Sequence, residues 1–235
     1  MPEEWTRPTL CHEALRLTRH LAALLPAEAE VQALQALLEL QASRLPARTD
    51  ALGRPVLLSD QDRSRWDRLL LRRGLETLDR CRRLNAGASA GPGPLALQAE
   101  LAAVHARARR VEDTDWPLLV RLYDHLLALQ PGPVLALNRA VALSHAAGPA
   151  EALTIVESLP LAGYPWWASA RADLLQRLGR IQDACQALGQ AIAWTHNERE
   201  RILLTERLHS LRCQRPSQED LNPPAPPTPW PPAPT

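Results

Sequence analysis

A chain of 235 residues, 46% of them apolar, is long enough to bury a core without a metal or disulfide staple. Its 27 basic residues are all Arg and are set against 26 acidic ones, so a net charge of +1 excludes a general electrostatic attraction to nucleic acid. Phe is absent, Tyr occurs twice, and Leu and Ala dominate, a composition that favours helices and leaves almost no expectation of sheet.

Helical spacing begins near Leu10 and runs to Leu25, with Ala14, Leu17, Leu21 and Leu24 on one side, and Pro26 ends it. A second helix spans about Glu28 to Leu45. Pro46 to Ser59, with Gly53 and Pro55, suits a loop or a short extended piece. Ser59 and Asp62 have the spacing of a capping box, which predicts a third helix through Trp66, Leu69, Leu70 and Leu71 to about Leu84. NAGASAGPGP at 85–94 denies both helix and strand and reads as a hinge. Further helices follow near Leu95 to Arg110, Asp115 to Leu129, Pro133 to Ala147, Ala150 to Leu159, Pro165 to Leu178, Ile181 to Trp194 and Glu198 to Cys213, joined by loops short enough to make neighbours antiparallel. The last stretch, PSQEDLNPPAPPTPWPPAPT, has 9 prolines in 20 residues and reads as a disordered, partly polyproline-II tail.

The last third carries a repeat. In ADLLQRLGRIQDACQALGQAIA, Ala172, Ala184 and Ala191 fall at the close-packed small positions of a tetratricopeptide unit, with Gly179 ending the first helix. Ala140, Gly148 and Ala152 repeat the design one unit earlier, and Ala152 precedes Ala184 by 32 residues. Small residues are needed there because a larger side chain would push the paired helices apart. The expected fold is all-α, a tetratricopeptide-like α-solenoid of antiparallel helix pairs with a disordered Pro-rich C-terminal tail. Its expected parts are a flexible 1–9, a helical 10–84, the hinge 85–94, the repeats 95–213 and the tail 214–235.

Three segments, ARTDALGRPVLLSDQDRSRWDRLL at 47–70, LQAELAAVHARA at 97–108 and EDTDWPLLVRLYDHLLALQPGPVLALNRAVAL at 112–143, go beyond a generic repeat. Together they resemble the C-terminal tetratricopeptide-like extension of bacterial extracytoplasmic-function RNA polymerase sigma factors, with QDRSRWDR and ALNRAVA the most specific strings. The resemblance implies a regulatory domain that acts through protein contacts. It also implies the partners: the core regions of a sigma factor, RNA polymerase, or a small DGPF-motif protein of the kind encoded beside such factors. Neither the promoter-melting helices nor a helix-turn-helix is expected in this sequence, so promoter binding by this chain alone is not expected. The chain thus reads as a regulatory half, as a stand-alone relative or as a remnant.

No catalytic constellation stands out. His12-Glu13 opens like a zinc-protease motif, but Arg16 stands where the second His would be. His105, His125 and His145 fall on three separate helices, and Gly91-Pro92-Gly93 lacks the strand and helix context of a phosphate loop. The expectation is a non-enzyme with no cofactor and no metal. Cys11, Cys81, Cys185 and Cys213 form no C-x-x-C pair, no secretory leader is evident, and no segment has the length of apolar sequence that crosses a bilayer, which points to a cytoplasmic protein with reduced thiols.

Candidate partner contacts are Asp62, Arg63, Arg65 and Trp66, where a Trp flanked by Arg has the makings of an interface anchor. Asn138 and Arg139 lie on a helix expected to line the concave face, and of the pair Trp166 and Trp167 one is expected to reach the groove, Trp167 being the candidate. The alternative reading is nucleic-acid binding through the Arg-rich stretch 63–83, where eight Arg face Asp67, Glu76 and Asp79.

Overall fold

The computed structural model describes residues 8–87 and 91–213. Among the described residues the chain forms ten α-helices and no strand: α1 Pro8–Leu24, α2 Ala29–Ala42, α3 Arg68–Asn85, α4 Pro94–Arg107, α5 Trp116–Leu129, α6 Pro133–Ala146, α7 Pro149–Ser158, α8 Pro165–Arg177, α9 Ile181–Trp194 and α10 Glu198–Cys213. The Pro-rich tail and residues 88–90 of the hinge lie outside the described residues. Each helix from α4 to α8 carries Pro in the first turn, where the missing N–H has no helical partner to lose.

The third helix differs from its sequence expectation. It starts at Arg68 and not at Ser59, because Asp67 is the N-cap, accepting from the N–H groups of Leu69 and Leu70 at 2.9 and 3.0 Å. Asp62 serves a separate short turn, accepting from the Ser64 N–H and hydroxyl. Trp66, with φ −68° and ψ 138°, is extended between the two caps, so Arg63 and Arg65 do not belong to the Arg-rich helix.

Each helix packs on its sequence neighbours, which gives a tetratricopeptide-like all-α solenoid. The small residues sit where the helices meet: Ala140, Ala152, Ala168, Ala172, Ala184, Ala187 and Ala191 are all buried in one core spanning α6 to α10. Gly179 ends α8 in the left-handed region, at φ +76°, with the Arg180 N–H reaching back to the Leu175 carbonyl. A second core, of Leu97, Leu101, Val104, Leu119, Leu126 and Ala142, joins α4, α5 and α6.

At the other end α2 is the central helix, packed against α1, α3 and α4 around Ala33, Ala36, Leu40, Leu78, Cys81 and Ala99. Helices α3 and α4 therefore share one core with α2. The start of α4 is also pinned: the Glu30 carboxylate accepts from the N–H groups of Leu95 and Ala96 at 2.8 and 3.0 Å, capping α4 from a different helix. Gly93 permits this, since a Cβ there would lie 2.5 Å from the Glu30 carboxyl carbon. Glu30→Ala is expected to destabilise the fold by about 1–2 kcal/mol in urea unfolding, and Glu30→Gln, which keeps one acceptor, by less.

Two other features of this end lie on α1 and α2. Glu39 is fully buried and receives a 3.0 Å ion pair from Arg19, which ties α1 to α2. On the opposite side of α1, Leu10, Leu17, Leu21 and Leu24 remain exposed as a stripe at helical spacing.

Candidate functional site

A cavity of about 630 Å³ lies among five of the helices and the irregular stretch between α2 and α3. One wall comes from His105 of α4, Trp116 and Tyr123 of α5, Asn138 and His145 of α6, Trp166, Ser169, Asp173 and Arg177 of α8, and Arg207 of α10. Five helices contribute because a solenoid presents the same face of successive repeats to one groove. The other wall is not helical: Leu57, Leu58, Ser59 and Arg63 come from the irregular stretch between α2 and α3. A further space of about 620 Å³ shares Tyr123, Val134 and Asn138 with the first and continues the groove toward Gln41 and Gln98.

Aromatic side chains shape the floor. The His145 ring stacks on Trp116 with centroids 4.0 Å apart and planes 12° apart, and His105 meets the same indole edge-on at 5.9 Å. Burial pushes the His105 imidazole down to about 4, and the nearby Arg44 and Arg63 guanidinium groups, with His145 wherever it is protonated, push the same way. His145 is also lowered, first by burial and then by Arg177. Both rings are therefore neutral at physiological pH. Burial raises the Tyr123 phenol.

The charged groups are arranged for structure first. Arg177 donates to the Ser144 hydroxyl and carbonyl at 2.8 and 2.7 Å, locking α8 to α6. Arg207 donates to the Ser169 hydroxyl at 3.1 Å and lies 3.6 Å from Asp173. With Arg63 the cavity lining has three guanidinium groups and one carboxylate, so it favours an anionic or acidic guest. Among the described residues, the side chains of Tyr123, Asn138, His105 and His145 make no hydrogen bond within the chain, which leaves four polar groups available to a guest.

The sequence candidates separate into two groups. Asn138 lines both cavities, and Arg63 lines the first while donating to the carbonyls of His105 and Ala108 at 2.8 and 2.6 Å. The rest serve packing or local pairing. Trp66 is 4% exposed, with the Arg44 and Arg63 guanidinium groups over its ring at 5.6 and 5.3 Å, so its indole is a core element and not an exposed anchor. Trp167 packs on Trp194 and donates to the Val156 carbonyl at 2.7 Å, so its neighbour Trp166 reaches the groove in its place. Arg139 pairs with Asp124, Arg65 donates to the Thr49 carbonyl, and Asp62 caps its own turn.

Trp116, His145, Arg177, Asp173 and Arg207 were not among the candidates. Residues 29 positions apart that stack, as Trp116 and His145 do, have no local signature, and only the concave-face rule for solenoids could have grouped them. All four cysteines are free, and burial together with Glu30 and Glu100 raises the Cys81 thiol to about 11, which makes it unreactive. Among the described residues no group of His, Cys, Asp and Glu side chains is placed to hold a metal, and no helix is long and apolar enough to cross a membrane.

Comparison with known proteins adds a family and a relative, both without an assigned activity. Residues 1–82 match the model of a family of unknown function, DUF6596; this stretch holds α1, α2, the irregular stretch and most of α3. An uncharacterized protein of Rhizobium meliloti (strain 1021) is 45% identical over 207 residues, which cover 87% of this chain and 48% of the relative. The chain thus spans about half the length of that relative. No solved structure matches the chain.

Proposed function

We propose that this chain is a non-catalytic protein-interaction and regulatory domain, related to the C-terminal part of an extracytoplasmic-function sigma factor, that modulates transcription initiation by holding another protein in its concave groove. The observation that carries this reading is the groove itself: five helices and an irregular segment surround about 630 Å³ of aromatic and Arg-lined space with unspent hydrogen-bonding groups. The two strings that carry the resemblance, QDRSRWDR and ALNRAVA, contribute Arg63 and Asn138 to that same groove. A relative twice as long fits a domain that works joined to a further unit. Sigma-factor core regions, RNA polymerase or a DGPF-motif protein are the proposed partners.

The alternative, nucleic-acid binding through α3, is weakened by pairing. Arg82 bridges Asp79 and Glu100, Arg72 lies 3.8 Å from Glu76, and Arg80 donates to Gln32. A pull-down with the chain from an extract of its own host, at low and at moderate salt, tests the proposal. Recovery of a sigma factor, a polymerase subunit or a DGPF-motif protein that survives moderate salt is the expected result. Retention only of nucleic acid that washes off as salt is raised would favour the Arg-rich helix instead.

A further inference from the structure

Helix α1 carries two apolar faces, and the fold uses one of them. Leu15, Thr18 and Ala22 are buried on the side of α2, where Gln32 donates to the Ala22 carbonyl at 3.2 Å and Arg19 pairs with Glu39. Beside this face run Leu10, Leu17, Leu21 and Leu24, which are 59%, 54%, 38% and 78% exposed, with the partly exposed Ala14 among them. The outer helix of a repeat array ordinarily turns a polar face to water. A row of exposed leucines in its place marks a surface for another apolar surface.

The spacing of the row selects the occupant. Positions 10, 14, 17, 21 and 24 alternate steps of four and three, the seven-residue pattern of a two-stranded coiled coil, with Leu10, Leu17 and Leu24 at d and Ala14 and Leu21 at a. Such a seam is complementary to itself. Set antiparallel, with each a position against a d position, Leu10 meets Leu21 of the second copy at both ends. Ala14 meets Leu17 in the middle, where the small side chain lets the helices approach closely.

Charge favours the same register. The residues preceding the two a positions are Glu13 and His20, both exposed on one edge of the seam. In the antiparallel pair Glu13 lies opposite His20 of the second copy, and the two-fold axis makes this contact twice. Arg16, which pairs with Glu13 within the helix, adds a second cation to that edge. In a parallel pair Glu13 and His20 would face Thr18 and Leu25, which carry no charge.

We propose that α1 is the seam of a symmetric dimer, in which a second copy of this chain lays its own α1 antiparallel along Leu10, Ala14, Leu17 and Leu21. A helix of 17 residues spans only about 25 Å, so the interface is small and the dimer forms at micromolar concentrations. No residue of α1 lines either cavity, so the pairing and the groove do not compete for side chains, and the inference is independent of what the groove holds.

Sedimentation equilibrium of the full chain across micromolar concentrations is the test. Leu17→Glu and Leu21→Glu are the seam variants, and Leu52→Glu is the control at a leucine exposed elsewhere. A reversible dimer is expected for the wild type and for Leu52→Glu, and a monomer for both seam variants. Circular dichroism and the urea midpoint of the seam variants, measured where the wild type is monomeric, should match the wild type. His20→Glu sets two carboxylates against each other at both ends and should weaken the dimer about 3- to 10-fold, while Glu13→Arg/His20→Glu should pair at least as tightly as the wild type. A chain that stays monomeric overturns the proposal, as does a dimer that survives either seam variant. A dimer that Leu17→Glu abolishes but His20→Glu leaves unchanged overturns the antiparallel seam. A wild-type monomer that Leu17→Glu destabilises in urea would give the stripe to residues of its own chain and overturn the dimer.

Discussion

Replacing Trp66 by Ala is expected to cost about 3–5 kcal/mol of stability, the range for truncating a buried Trp. The indole is 4% exposed and lies against the Arg44 and Arg63 guanidinium groups. Its removal would leave Arg44, already pushed down to about 10 by burial and by Arg48 and Arg63, facing those cations across a void. It would also loosen the end of α4, because the Arg63 guanidinium that lies over the indole donates to the His105 and Ala108 carbonyls. Trp66→Phe should cost markedly less: it keeps a ring under both cations, and the indole N–H it removes has no acceptor among the described residues. Urea unfolding of both variants checks this, and equal losses for Phe and Ala would show that ring packing is not what Trp66 contributes.

The second large effect is a dependence on pH. The His105 imidazole is pushed down to about 4 in the folded chain, below the ordinary value of 6.5, because burial and the Arg44 and Arg63 guanidinium groups disfavour its charged form. In the window between, the unfolded chain binds a proton that the folded chain refuses. The stabilisation is therefore complete above about pH 6.5 and is lost as pH falls toward 4. After allowance for solvent screening of a half-buried ring, the loss from this group is about 2–3 kcal/mol. His145 is lowered too and adds a smaller loss of the same sign. The carboxylates held low by their partners, Glu13, Asp50 and Asp62, lose their contribution as pH falls from the ordinary carboxylate range through their lowered values, so they leave the slope between about pH 6.5 and 5 largely to the histidines. His105→Gln should flatten most of that slope in unfolding measured at several pH values, and an unchanged slope would place its origin elsewhere.

Much of this fold can be read in the sequence, and the reason is local. Alanines at tetratricopeptide spacing, Gly179 after a helix and Pro133, Pro149 and Pro165 at helix starts each act within one or two turns, and each sits where its pattern places it. The start of α3 was misplaced because two caps compete: the Ser59/Asp62 pattern resembles a capping box, but the buried, extended Trp66 forces the helix to begin after Asp67. The groove was legible in part. Asn138 follows from its place on a repeat helix, and one Trp of the pair 166–167 had to face away from the other. Which one faces the groove depends on Trp194 and the Val156 carbonyl, which come from other helices. The contacts of Gly53 and Arg54 to Arg199 and Glu206 were invisible for the same reason, since they span some 150 residues.

The central claim is that the concave groove holds a protein segment, and site-directed photo-cross-linking in the host tests it most directly. A photoreactive residue at Asn138, between the two cavities, is compared with one at exposed Glu151 on α7, away from both. A cross-link from position 138 to a sigma-factor core region, polymerase subunit or DGPF-motif protein, absent from position 151, is the expected result. The same adducts from both positions, or from position 151 alone, would contradict a groove-bound partner.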